Sequence, residues 1–197
     1  MKKQLRLILP AVIIAAALSS TLCHSQDTPP DTAGKTESKV DLSKPQYTFL
    51  KDCKDNTNHD NAAFTELSCN PLSEYKVNIT EQSPQYFNII LSKDDYKVSS
   101  DFTTVSNENP VEAGKAIEWH LVNNIPKYMI FRISWGTTEE PFNMRQYLVV
   151  NLVTDKEICA LATVDVKNNK NANQKARDLI ATKFKQTTSC PATVVAL

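Results

Sequence analysis

The stretch AIEWHLVNNIPKYMIFRISW, Ala116 to Trp135, decides the fold. On either side of Asn123-Asn124, apolar residues alternate with polar ones, the period of a strand with one face on a core. Ala116–Val122 places Ile117, Trp119 and Leu121 on one side and Glu118 and His120 on the other. Lys127–Trp135 places Met129, Phe131, Ile133 and Trp135 on one side, with Tyr128, Ile130, Arg132 and Ser134 opposite. A slip of one residue would turn one apolar set to solvent. The expected register therefore pairs Trp119 with Met129 and Ile117 with Phe131, through an odd-length loop around Asn123, Asn124 and Ile125. Pro126 then falls at a strand start, where its missing N–H does least harm.

This register puts His120 opposite Tyr128 and Arg132 diagonal to Glu118, all on one face. Glu118, His120, Tyr128 and Arg132 are the candidate binding residues. Cross-strand pairing also accounts for them, as an ion pair and an imidazole–phenol contact on a solvated face. No nucleophile accompanies them, so no catalytic residue is assigned and the chain is not expected to be an enzyme.

The same alternation recurs outward from this hairpin. Strands are expected at Ala63–Cys69, Tyr75–Thr80, Tyr86–Ser92, Tyr96–Ser99, Arg145–Val153 and Lys156–Val166. Tight turns are expected in LSKDDY (Leu91–Tyr96) and VTDKE (Val153–Glu157). Only three glycines occur, so asparagine and aspartate must supply most turns. The same scarcity argues against glycine-rich phosphate-binding loops.

Arg145–Val153 and Lys156–Val166 are apolar on both sides, as in strands covered on both faces. The first carries Tyr147, Val149 and Val153 opposite Leu148, Val150 and Leu152; the second carries Ile158, Ala160, Ala162 and Val164 opposite Cys159 and Leu161. One helix follows, with a stripe at Ala172, Ala176, Leu179, Ile180 and Phe184. Asn171 is its expected N-cap, Gln174 suggests a capping box, and Lys183 and Lys185 suit its C-terminal end. The helix is expected to lie on the Leu148/Val150/Leu161 side.

Residues 1–25 read as a secretory signal peptide: Lys2, Lys3 and Arg6, then an apolar run from Leu7 to Leu18 too short to span a bilayer, then small residues. Cleavage is expected after Ser25, with a lipid tether at Cys23 as the alternative. Losing this segment removes Cys23 and leaves Cys53, Cys69, Cys159 and Cys190. An even number in an exported chain implies disulfides, and the shortest loops come from Cys53–Cys69 and Cys159–Cys190. The cut also removes three basic residues and no acidic one, leaving a net charge of −3. A weakly acidic chain is not expected to bind nucleic acid. No later segment is long and apolar enough for a transmembrane helix.

Residues 26–46 are polar, Pro-bearing and aperiodic, and read as a flexible leader; 47–197 read as a single domain. Cys53, Asp55, His59, Asp60 and Cys69 could frame a zinc site, although an exported chain favours a disulfide there. No cofactor is expected. G-x-S-x-G, S-x-x-K, H-E-x-x-H and C-x-x-C motifs do not occur.

From Glu118 to Cys190 the chain resembles uncharacterised exported proteins of alphaproteobacteria. The resemblance rests on Glu118-Trp119, Leu148-Val149-Val150, Cys159, Val164-Asp165, Asn171-Ala172-Asn173, Ala176-Arg177, Phe184 and Cys190. It implies an exported location and no particular activity.

The expectation is an α+β domain: an antiparallel, curved or barrel-like sheet of about seven to eight strands with one C-terminal helix packed on it. The expected role is a periplasmic or secreted, non-enzymatic binding or accessory protein that recognises another envelope protein. The rival reading is a small-ligand or metal binder, or a lipid-tethered envelope lipoprotein through Cys23.

Overall fold

A computed structural model describes residues 44–58, 60, 64–82, 86–100, 110–135 and 145–197. The expected signal peptide with Cys23, the leader up to residue 43, and His59 of the expected metal loop lie outside the described residues. In chain order the elements are β1 (Gln46–Phe49), a 3-10 turn (Leu50–Asp52), β2 (Lys54–Asp55), β3 (Phe64–Leu72), β4 (Tyr75–Gln82), β5 (Tyr86–Lys93), β6 (Tyr96–Ser99), β7 (Pro110–Val122), β8 (Ile125–Trp135), β9 (Arg145–Val153), β10 (Ile158–Asp165), α1 (Ala172–Thr182) and β11 (Val195–Ala196).

Mostly β structure with one helix on a sheet agrees with the expectation. The strands form two sheets, not closed into a barrel: β1-β7-β8-β9-β10-β11 and β2-β3-β4-β5-β6. All ladders are antiparallel except β10 with β11. The sheets face one another across Val77, Ile79, Phe87, Ile89, Leu91, Ile117, Trp119, Met129, Phe131 and Val149, all buried. Phe87 of one sheet stacks on Phe131 of the other, with ring centroids 5.3 Å apart. The opposite face of the larger sheet carries α1, in a second core of Tyr128, Ile130, Leu148, Val150, Leu152, Leu161, Ala172, Ala176, Ile180 and Phe184.

The central hairpin has the expected pairs, Ile117 with Phe131, Trp119 with Met129, and His120 with Tyr128. Its turn differs. Asn123 and Asn124 form a two-residue turn with φ of 53° and 64°, the left-handed conformation that asparagine tolerates. The odd residue appears instead as a bulge: Leu121 pairs with Pro126, so Lys127 is the extra residue on β8. Ser73 and Asp94 turn the β3–β4 and β5–β6 hairpins at φ of 57° and 51°. Non-glycine residues thus make these turns, as the glycine-poor composition requires.

A second bulge corrects the sequence reading of β10. The register shifts between Ala160 and Ala162, which moves Ala162 and Val164 from the inter-sheet side to the helix side. One inserted residue reverses every following side chain. Opposite the bulge, the buried Asn151 amide donates to the Met129 and Val149 carbonyls at 3.3 and 3.0 Å.

Both expected disulfides are present, Cys53–Cys69 and Cys159–Cys190. The first ties the crossing from β1 to β2 onto β3; the second ties the chain beyond α1 to β10. Asn171 occupies the N-cap position of α1, but its side chain makes no capping bond. Gln174 likewise forms no capping box and donates to Asp178 at 2.9 Å. Entry to the helix is set upstream, where Asp165 accepts from the Lys167 and Asn168 amides at 2.8 and 3.1 Å.

Candidate functional site

β8 and β9 run side by side with Arg132 opposite Leu148, Ser134 opposite Gln146 and Ile130 opposite Val150. Glu118 on β7 stands opposite Ile130, and Tyr47 on β1 opposite Glu118. All lie on the helix side of the larger sheet. An eleven-residue helix is about 16 Å long, whereas eleven residues of β8 extend about 36 Å. The helix therefore leaves part of this face uncovered.

That uncovered part is a groove of about 450 Å³. Ala116, Ile130 and Leu148 give its floor an apolar surface beside the buried Ser134, and its rim carries Lys115, Arg132, Gln146, Asn173 and Arg177. Glu118 and Tyr47 line it where β1 adjoins β7.

Glu118 is the hub of this region. Arg177 reaches down from α1 and grips it with two bonds, Nε to Oε1 at 2.8 Å and Nη2 to Oε2 at 2.7 Å. His120 Nε2 lies 2.8 Å from the same Oε1, so Nε2 carries the hydrogen that the carboxylate accepts. The Tyr47 hydroxyl donates to Oε2 at 3.2 Å and accepts from Arg177 Nη2 at 3.2 Å. Burial alone would raise the Glu118 pKa. The hydrogen bonds and positive charge of Arg177, with the His120 contact, outweigh it and hold the carboxyl at about 2. Glu118 in turn raises the pKa of Arg177. Burial, then the neighbouring carboxylate, raises that of Tyr47.

The four sequence candidates share one sheet face, but most of that face is dry. His120 and Tyr128 are both fully buried, and Glu118 is nearly so, which overturns the solvated-surface reading. The expected ion pair between Glu118 and Arg132 is replaced by Glu118 with Arg177. The expected contact between His120 and Tyr128 gives way to bonds from the Tyr128 hydroxyl to the carbonyls of Phe184 (2.6 Å) and Lys185 (3.3 Å). Tyr128 thereby satisfies carbonyls beyond the end of α1. These corrections have one cause: α1 docks on the face that carries the four residues.

Arg132 is the candidate whose charge lines the groove. Its side-chain partner is the Gln146 carbonyl oxygen at 3.2 Å, and among the described residues no carboxylate lies within 4.0 Å of Arg132 or Lys115. Gly114 sets its place. A Cβ on Gly114 would sit 2.8 Å from both the Cβ and the carbonyl oxygen of Arg132, so only glycine lets the bulged β7 approach β8 so closely.

His120 does not line the groove, and its Nδ1 is buried without a partner among the described residues. Cys53 and Cys69 of the expected metal loop are joined to each other. No group of three or more His, Cys, Asp or Glu that could hold a metal occurs among the described residues. Within the same limits, no helix is long and apolar enough to cross a membrane.

Sequence reasoning missed Tyr47 and Arg177. Tyr47 followed the polar leader, although the alternation QYTF was there to read. Arg177 is 59 positions from Glu118, next to Ala176 at the border of the helix stripe, where a long cation can reach across an apolar seam. No family model matches this chain, and neither a curated protein nor a solved structure matches it.

Proposed function

We propose that this chain is an exported, non-enzymatic binding protein whose ligand site is the groove between β7, β8, β9 and the flank of α1. The observation that carries this reading is the pairing of an apolar floor with a polar rim in about 450 Å³, a size and composition suited to a small ligand. Supporting it, the network of Glu118, Arg177, His120 and Tyr47 ties three distant elements together and holds the rim in place. Glu118 at about 2 is a committed anion at neutral pH and a poor general base, which favours binding over acid–base chemistry. The two disulfides are compatible with an oxidising compartment, in line with the exported location expected from residues 1–25.

A groove of this size favours a small molecule over the flat surface of an envelope protein. The test is an amide-resolved NMR titration of the oxidised protein with a panel of small acids, bases and neutral compounds. Shifts gathered at residues 113–116, 130–134, 146–148 and 173–177 are expected. Binders that shift only other residues, or no binder at millimolar concentration, would overturn the assignment.

A further inference from the structure

The rim of the groove is electrically lopsided. Where α1 meets β7, the Arg177 guanidinium and the Glu118 carboxylate neutralise each other through bonds of 2.7 and 2.8 Å. Away from that pair stand Arg132 and Lys115, with no carboxylate within 4.0 Å among the described residues. Among the described residues the lining thus carries three cations against one anion. Directly across the ladder from Arg132 is Leu148, and two residues along β8 is Ile130, both buried and both on the floor.

Resting on the reading of the groove as a ligand site, we infer that its ligand is a small organic anion, a carboxylate on a short apolar chain. The guanidinium of Arg132 presents a planar pair of N–H donors matched to a carboxylate, and Lys115 adds a second positive charge. Gln146 holds Arg132 from one side, and Gly114 lets β7 press against its backbone. The donor is therefore placed before a ligand arrives, which lowers the ordering cost of binding. The apolar part of the ligand covers Ile130, Leu148 and Ala116. A cation would meet the positive charges of Arg132 and Lys115, and an uncharged chain would bring them no counter-ion.

The experiment uses the oxidised, processed protein and four probes: hexanoate, hexanol, hexylamine and acetate, each titrated against the amide NMR signals. Hexanoate is expected to shift the groove residues to saturation, with affinity about ten-fold or more above hexanol and acetate. Hexylamine is expected to leave them unmoved. Arg132→Gln, checked for native folding by its urea midpoint, should weaken hexanoate about ten-fold, and raised salt should weaken the native protein. Hexanol or hexylamine binding in the groove as well as hexanoate would overturn the anion assignment and leave the groove as a ligand site. Acetate binding as tightly as hexanoate would remove the role of the apolar floor, and an unaltered Arg132→Gln would remove that of the guanidinium. If no probe, and no compound of the broader panel, shifts the groove, both readings fall together.

Discussion

Arg177 of α1 grips Glu118 of β7 with two hydrogen bonds, and Glu118→Gln tests that grip. One carboxylate oxygen accepts from His120 Nε2 and Arg177 Nε, the other from Arg177 Nη2 and the Tyr47 hydroxyl. Glutamine keeps one accepting oxygen and turns the other into an N–H group that faces donors. A carboxyl lowered from 4.5 to about 2 carries, at about 1.36 kcal/mol per decade, an upper figure of about 3.4 kcal/mol. The Arg177 side chain is 29% exposed, so solvent screening reduces this to about 2 kcal/mol. With a urea slope of about 2 kcal/mol per molar, the midpoint at pH 7 should fall by about 1 M. Trp119 and Trp135 are both buried, so the red shift of their emission reports unfolding directly.

The sign of the pH effect follows from the depressed pKa. The stabilisation is complete above the unfolded-state value near 4.5 and is lost as pH falls towards 2. The gap between native and Glu118→Gln proteins should therefore shrink to less than about half by pH 3. A gap below about 0.5 kcal/mol at pH 7, or one as wide at pH 3 as at pH 7, refutes the reasoning.

Three further perturbations probe the surroundings. Gly114→Ala forces a Cβ against the backbone of β8 and should cost about 1–3 kcal/mol in urea unfolding while displacing the NMR signals of Arg132; a neutral substitution would mean that the bulge opens freely. Tyr128→Phe removes the donor to the Phe184 and Lys185 carbonyls, with an expected loss of about 1–2 kcal/mol and faster amide exchange around residues 182–187. Replacing Cys159 and Cys190 together by Ser frees a 31-residue span, and a loss of about 3.5 kcal/mol is expected in thermal or urea unfolding.

The candidate site was less legible than the strands because its decisive bonds join residues far apart in the chain. Strand periodicity identified Glu118, His120, Tyr128 and Arg132 as co-facial, and the register confirms that geometry. It could not say what covers them. The helix stripe of Ala172, Ala176 and Ile180 called for an apolar partner face, and Leu148, Val150 and Leu161 were read as that face. Tyr128 and Ile130 belong to the same surface. That continuity depends on the β8–β9 register, which the alternation within each strand leaves open.

By itself the sequence determined the eight main strands, the pairing of the central hairpin, the buried stripe of α1 and the two disulfides. Each follows from local period, turn chemistry or cysteine parity, and these act over short stretches or through simple counting. Only the tertiary structure decided that the strands divide into two sheets, that a bulge in β10 reverses Ala162 and Val164, and that α1 stops short of the Arg132 end of its face. It alone turned Glu118 from a surface charge into a buried anchor. Whether a carboxylate is wet or dry depends on what packs over it, and here that is an arginine 59 residues away.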